Sequence, residues 1–239
     1  MRYLAIWQQT IFAPLITAAL FLLIFSIAIG PGRSDVMGFD YVSFLAPGLL
    51  MMTVIQNSFA NTSSSMLSAK VMGSIVDTLM PPLSPLEMTV GFLAGGIGRG
   101  LMIGAVLCLS MGLSLGIWVA HPLWTLAFVV LGGMFMGALG LLGSIYAYKF
   151  DQMAAISNFV ITPLAFLSGT FYSIQALPSM MQPLIHVNPM FYIIDGGRYS
   201  VLGVSDGSPW MALAVICGAN ICAVGLAWFW LARGYRLKS

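Results

Sequence analysis

Apolar residues in this chain gather into six long runs, and polar residues collect in the short stretches between them. The runs cover residues 11–29, 43–61, 88–118, 123–145, 153–171 and 211–231. Each is close to the roughly 20 residues that a helix needs to cross a hydrocarbon core about 30 Å thick. They are apolar on every side rather than at alternate positions. That excludes the strands of a membrane barrel, which run about ten residues and alternate apolar with polar. Backbone groups surrounded by lipid must be hydrogen-bonded within their own segment, so each run predicts a helix. The expected fold is all-α: a polytopic membrane protein with six transmembrane helices.

Composition supports this class. The chain is 59% apolar and only 7% charged, with a mean hydropathy of +0.97, whereas a soluble domain carries about 25% charged residues. The connecting stretches are too short for a soluble domain. A formal charge of +2 gives no footing for nucleic acid. Cys108, Cys217 and Cys222 all fall inside apolar runs and are expected to be reduced and buried. His121 and His186 lie in outer loops and do not suggest a metal site. The first run exceeds the roughly 7–15 residues of a signal-peptide core and ends in Gly30-Pro31-Gly32-Arg33 without a small-residue cleavage site, so it reads as a retained helix.

Charge sets the sidedness. With the N-terminus in the cytoplasm, the inner side holds Arg2, Lys70, Lys149, Arg233, Arg236 and Lys238, and the outer side holds Arg33 and Arg198. Arg99 falls within the third run and is not counted. Excess Lys and Arg marks cytoplasmic loops, so both termini are expected inside. Asp35, Asp40, Asp195 and Asp206 then lie outside, although acidic residues weigh little in this rule.

The stretches between the runs carry further signals. The second run ends in Asn61-Thr62-Ser63-Ser64-Ser65 and is expected to continue as helix to Lys70. A cytoplasmic piece follows at about 71–87. There Ile75, Val76, Leu79 and Met80 are spaced as an amphipathic turn, with Asp77 on the other side, and Pro81-Pro82 stop it. Ser84-Pro85-Leu86-Glu87 reads as a capping box with proline at the first helical position. Gly96, Gly100 and Gly104 share one face of the third run. Gly112 and Gly116 repeat that spacing, as do Gly133 and Gly137 in the fourth. Such faces let helices approach closely in lipid, and packing within the subunit is the simpler reading than a subunit interface. The outer segment at about 172–208 is too long for a turn and too apolar for a free loop. It predicts two short helices, re-entrant or interfacial. One opens at Pro178 with Met180, Met181, Leu184 and Ile185 apolar. The other runs from Pro189 to about Leu202 and is closed by Gly203. Asp195 and Arg198, three apart, can pair.

The most specific element is Thr162-Pro163-Leu164-Ala165-Phe166-Leu167-Ser168-Gly169-Thr170-Phe171-Tyr172, followed by Leu177-Pro178, Asn188-Pro189-Met190 and Gly197-Arg198-Tyr199. Together with Phe44-Leu45-Ala46-Pro47-Gly48-Leu49, the Pro81–Pro85 turn and Gly98-Arg99-Gly100, it closely resembles the ABC type-2 transporter permeases, over essentially the whole chain. That family includes drug, lipo-oligosaccharide and polysaccharide exporters of the bacterial inner (plasma) membrane. The resemblance implies a single ABC type-2 transmembrane domain over 1–239. It implies a second permease copy as a homodimer partner, membrane lipid around both, and a separate ABC ATP-binding subunit beneath each. It also implies a coupling helix after the second span, which falls here on Ile75, Asp77 and Leu79. The alternative for that turn is an interfacial helix resting on headgroups. Only residues 1–10 precede the first run, where the family usually has a longer amphipathic helix.

No Gly-x-x-x-x-Gly-Lys-Ser/Thr cradle for nucleotide phosphates occurs in the sequence. No cofactor is expected in this chain, which is not expected to be an enzyme; ATP and Mg are expected on the partner subunit. An intramembrane hydrolase would need a nucleophile and a base. Ser168 and His186 are the one tempting pair, and no Gly-x-Ser-x-Gly surrounds Ser168. Polar residues on the second run (Gln56, Asn57, Asn61) and the fifth (Ser157, Asn158, Thr162) are candidates for a translocation path, since the resemblance places these spans at a central cavity, with Phe159 and Phe166 as an apolar wall. The alternative for each is an interhelical hydrogen bond. Ser168 and Tyr172, where the fifth run meets the outer segment, are candidates for an outer gate. Arg99 is either functional or a charge that snorkels to water. The expected function is the permease subunit of an ATP-driven exporter of an amphipathic drug, lipid or lipid-linked glycan. A self-contained secondary transporter or channel is the rival, but it would call for inverted repeats and paired midplane charges.

Overall fold

The computed structural model describes residues 7–28, 35–73 and 83–236. These form helices throughout, and the one β-type contact among them is an isolated bridge between Val36 and Phe39. Helix α1 spans Trp7–Ala28, α2 Tyr41–Val71, α3 Pro85–Leu115 and α4 Pro122–Tyr146. A broken fifth helix follows: α5 (Phe150–Ile156), a π-helical turn (Ser157–Ile161) and α6 (Thr162–Phe166). The segment after it, expected on the outer side, holds a 3₁₀ turn (Ile174–Ala176), α7 (Gln182–His186) and α8 (Pro189–Leu202), and α9 (Pro209–Ala232) is the last described helix. Four of these, α2, α3, α4 and α9, are long and apolar enough to cross a membrane.

Helix α2 is the hub. Helices α1, α3, α4 and α8 all pack on it, and its buried residues run from Tyr41 to Leu67. Glycines make this possible. A Cβ at Gly96 would lie 2.4 Å from Thr62 Oγ1, one at Gly100 2.5 Å from Ser58 Oγ, and one at Gly140 2.7 Å from the Phe59 carbonyl. Gly96, Gly100 and Gly104 of α3 and Gly133 and Gly137 of α4 therefore form internal seams against α2, whereas Gly112 packs on Trp118 and Gly116 meets nothing within 4 Å. Thr53 and Ser58 of α2 turn their hydroxyls back on the helix, to the Leu49 and Val54 carbonyls, whereas Thr62 donates across to the Phe92 carbonyl of α3.

Sequence signals set the helix ends. Ser84 and Glu87 form the expected capping box, with the Ser84 N–H on Glu87 Oε2 at 2.7 Å and the Glu87 N–H on Ser84 Oγ at 3.3 Å. Helix α3 stops at Leu115 rather than at Trp118, because Gly116 adopts a left-handed conformation (φ 70°) and caps it. The chain beyond doubles back. The Trp118 ring lies against Gly112, and the N–H groups of Ala120 and His121 donate to the Val201 and Ser200 carbonyls. Asn188 caps α8 through the Met190 N–H, and Gly203 (φ 77°) ends it.

The fifth run departs most from a plain helix. Pro163 has no N–H to give the Phe159 carbonyl. The chain responds by widening one turn: the Thr162 N–H reaches back five residues to the Ser157 carbonyl. The helix then ends at Phe166, short of the expected 171.

Candidate translocation path and outer cap

The polar residues expected along the second run occupy the side of α2 that its neighbours leave open. Thr53, Gln56, Asn57 and Asn61 are half-exposed in a helix otherwise largely buried. Asn57 Nδ2 donates to the Thr53 carbonyl at 2.9 Å, which fixes its Oδ1. That oxygen accepts from Arg99 Nη2 of α3 at 3.0 Å. Arg99 Nε is buried without a hydrogen-bond partner, and the guanidinium forms no ion pair among the described residues. Sequence reading singled out both residues but not their pairing, since they are 42 positions apart.

The fifth-run residues sit differently. Asn158 is exposed on the π turn beside Phe159, which is 81% exposed; Thr162 is half-buried. Phe166 stacks on Phe171 with ring centroids 5.2 Å apart, and Phe21 and Phe25 of α1 complete the aromatic cluster. No described contact joins Asn158 or Thr162 to Gln56 or Asn57 within this chain. The two polar faces are separate.

Where the fifth helix ends, Ser168 is fully buried. Its hydroxyl donates to the Leu164 carbonyl at 2.5 Å and accepts from Asn188 Nδ2 at 2.9 Å. Asn188 Nδ2 also reaches the Leu164 carbonyl. This elbow ties the end of the fifth helix to the start of α8. Tyr172 is half-buried, with its hydroxyl on the Leu167 carbonyl at 3.0 Å. The His186 ring packs edge-on to Phe191.

Beneath the elbow lies a charge cluster that the sequence half revealed. Arg198 is completely buried. Its Nη2 donates to the Gly169 carbonyl at 2.6 Å, and its Nη1 lies 3.7 Å from Asp195 Oδ1 and 3.5 Å from Asp206 Oδ2. The guanidinium carbon sits 4.0 Å above the Phe44 ring. Asp195 accepts the N–H groups of Asp206 and Gly207; Asp206 accepts the Ile174 N–H and the Ser173 hydroxyl. Burial pushes the Asp195 carboxyl up, while those two N–H groups and Arg198 hold it back. The Asp195–Arg198 pair follows from its spacing. Asp206 and Phe44 do not, because they come from a returning loop and a distant helix.

At the C-terminal end of α2, Lys70 Nζ donates to the carbonyls of Ser144, Ile145 and Ala147 at 3.1, 2.7 and 2.8 Å, closing the C-terminus of α4. Arg236 stacks on Tyr146 beside it, 4.5 Å from the ring centre. The coupling residues Ile75, Asp77 and Leu79 lie outside the described residues. Among the described residues no cluster of His, Cys, Asp or Glu could hold a metal, and the cysteines are free.

Comparison with known proteins agrees with this architecture. The family model for the ABC-2 type transporter matches residues 1–202. The inner membrane transport permease YadH of Escherichia coli K12 is 36% identical over 239 residues, covering all of this chain and 93% of that protein. Nodulation protein J of Sinorhizobium fredii is 24% identical over 224 residues, covering 90% of this chain and 84% of its own length. Nodulation protein J of Rhizobium meliloti is 23% identical over 236 residues. Glycine-seamed apolar helices, a proline-interrupted fifth helix and a folded outer segment thus accompany relatives named as permeases, and the chain belongs to the ABC-2 type transporter family as a multi-pass membrane transport subunit.

Proposed function

We propose that this chain is the permease subunit of an ATP-driven exporter of the bacterial inner membrane. Two copies pair, six segments cross the bilayer with both termini inside, and each copy rests on a separate ATP-binding subunit. The observation that carries this reading is the near end-to-end match to a protein named as a permease, together with a sequence that has no phosphate-binding Gly-Lys motif. Energy then enters through the cytoplasmic face, and the sequence spacing of Ile75 and Leu79, with Asp77 offset from them, suits a helix-in-groove contact. The half-exposed polar side of α2 and the exposed side of the fifth helix are unmatched in one copy and line the path between two. Ser168 and Tyr172 hold the outer elbow that gates it. An amphipathic substrate suits such a path, polar on one wall and aromatic at Phe166 on the other.

The test is co-purification with the ATP-binding subunit, read on the full chain. Replacing both Ile75 and Leu79 with aspartate is expected to abolish the complex, or to leave ATP hydrolysis uncoupled from transport, while membrane insertion is unchanged. An intact complex with intact transport would overturn the assignment.

A further inference from the structure

We propose that Arg99 and Asn57 form an anion-binding site at the midplane of the path, so that the cargo is an amphiphile with a phosphate or carboxylate headgroup. This rests on the exporter reading and names its substrate class.

Depth comes first. Arg99 lies near the middle of α3, level with Asn57 and Ser58 near the middle of α2 and with Gly133 near the middle of α4; Gly100 packs on Ser58, and Gly133 on Ser58 and Ile97. At the inner ends of the helices, Met88 clusters with Met66, Leu141, Ile145 and Leu231. The helix rise places Arg99 roughly 16 Å above Met88, about half of a 30 Å hydrocarbon core. An arginine at this depth is costly and marks function.

Its partners come second. Arg198 shows what a structural buried arginine looks like: two carboxylates, a carbonyl and an aromatic face surround it. Each has a buried Nε without a hydrogen-bond partner, and Arg198 Nη1 lacks one too; what sets Arg99 apart is that it has one neutral amide oxygen and no carboxylate among the described residues. Its charge is uncompensated and most of its planar donor fork is unspent. That fork matches a carboxylate or phosphate in bidentate fashion. One turn below, Gly95 leaves room for Asn61, whose amide nitrogen lies 3.3 Å from where a Cβ would stand. Gly95 and Arg99 share a helix face, so the amide and the guanidinium follow one seam, beside the half-exposed Thr53 and Gln56. An acidic headgroup entering this seam meets a full charge and flanking donors. A neutral headgroup leaves the charge unmatched.

The experiment measures binding to the purified full-length chain in dodecyl maltoside by native mass spectrometry. The probes are dodecyl phosphate, dodecanol, inorganic phosphate and phosphatidylglycerol. Dodecyl phosphate is expected to bind at least about tenfold more tightly than dodecanol, a gap of about 1.4 kcal/mol. Arg99→Gln should erase that preference, and Arg99→Lys should retain part of it. Asn57→Asp, which gives Arg99 its own carboxylate, should also abolish it and covers the case in which Arg99→Gln does not fold. A preference that survives in Arg99→Gln or Asn57→Asp would overturn the proposal. So would inorganic phosphate binding as tightly as dodecyl phosphate, which would mean a free-anion site, or phosphatidylglycerol failing to compete with dodecyl phosphate, since it is itself an amphiphile with a phosphate headgroup. Co-purification of the ATP-binding subunit with the unaltered chain is read separately; its failure would sink the exporter reading and leave the binding result standing.

Discussion

Arginines 99 and 198 show how little a residue type says without its surroundings. Both were visible as charges in an apolar chain. Arg198 turns out to be a keystone, fully enclosed and facing Asp195 and Asp206. Breaking a buried pair by removing one partner costs about 3–5 kcal/mol, since the remaining charges stay buried and uncompensated. Arg198→Met is therefore expected to lower the thermal unfolding midpoint in detergent by many degrees. Asp206→Asn should do less, because its one side-chain oxygen can still accept the Ile174 N–H while its amide nitrogen donates to the Ser173 hydroxyl. The two midpoints, measured side by side, check the ordering. The i, i+3 spacing made the first carboxylate legible. The second was not, because its position depends on how the chain returns after α8. Asn188 was likewise visible only as part of the Asn188-Pro189-Met190 motif, and its side chain proves to be the clasp on Ser168.

At the scale of the element, the six apolar runs gave helices close to the expected places, with two instructive exceptions. The third helix stopped early because Gly116 turned left-handed, and a run of apolar residues carries no mark of that. The fifth lost its regular register ahead of Pro163. The proline was plain in the sequence, but whether it kinks, ends or widens a helix depends on which carbonyls find other donors. Glycine spacing was more reliable, since close approach leaves no alternative residue. Gly140→Ala would put a methyl group against the Phe59 backbone, and overpacking of that kind costs about 1–3 kcal/mol. Gly218→Ala on α9 meets nothing within 4 Å and should be neutral or stabilising by up to about 1 kcal/mol. Thermal unfolding of the two variants should separate them clearly. Equal effects would mean that the α2–α4 seam is looser than described.

At the scale of the molecule, the charge bias makes a direct claim about sidedness. A single cysteine at Ser205 should label from outside intact cells with a membrane-impermeant maleimide, and one at Ser74 only after permeabilisation, both in a background lacking the native cysteines. Labelling of position 74 in intact cells would reverse the topology. Lys70 adds a mechanical consequence. Its ammonium clamps the lower end of α4 three residues before Gly73, whose left-handed φ of 73° follows the end of α2. On the exporter reading, force applied to the segment after Gly73 has a short drive shaft into α4. From there it runs to α8 and α9, which both pack on α4. Lys70→Met should leave the ATP-binding subunit attached and its hydrolysis running while transport per ATP falls, as in an engine with its clutch slipping.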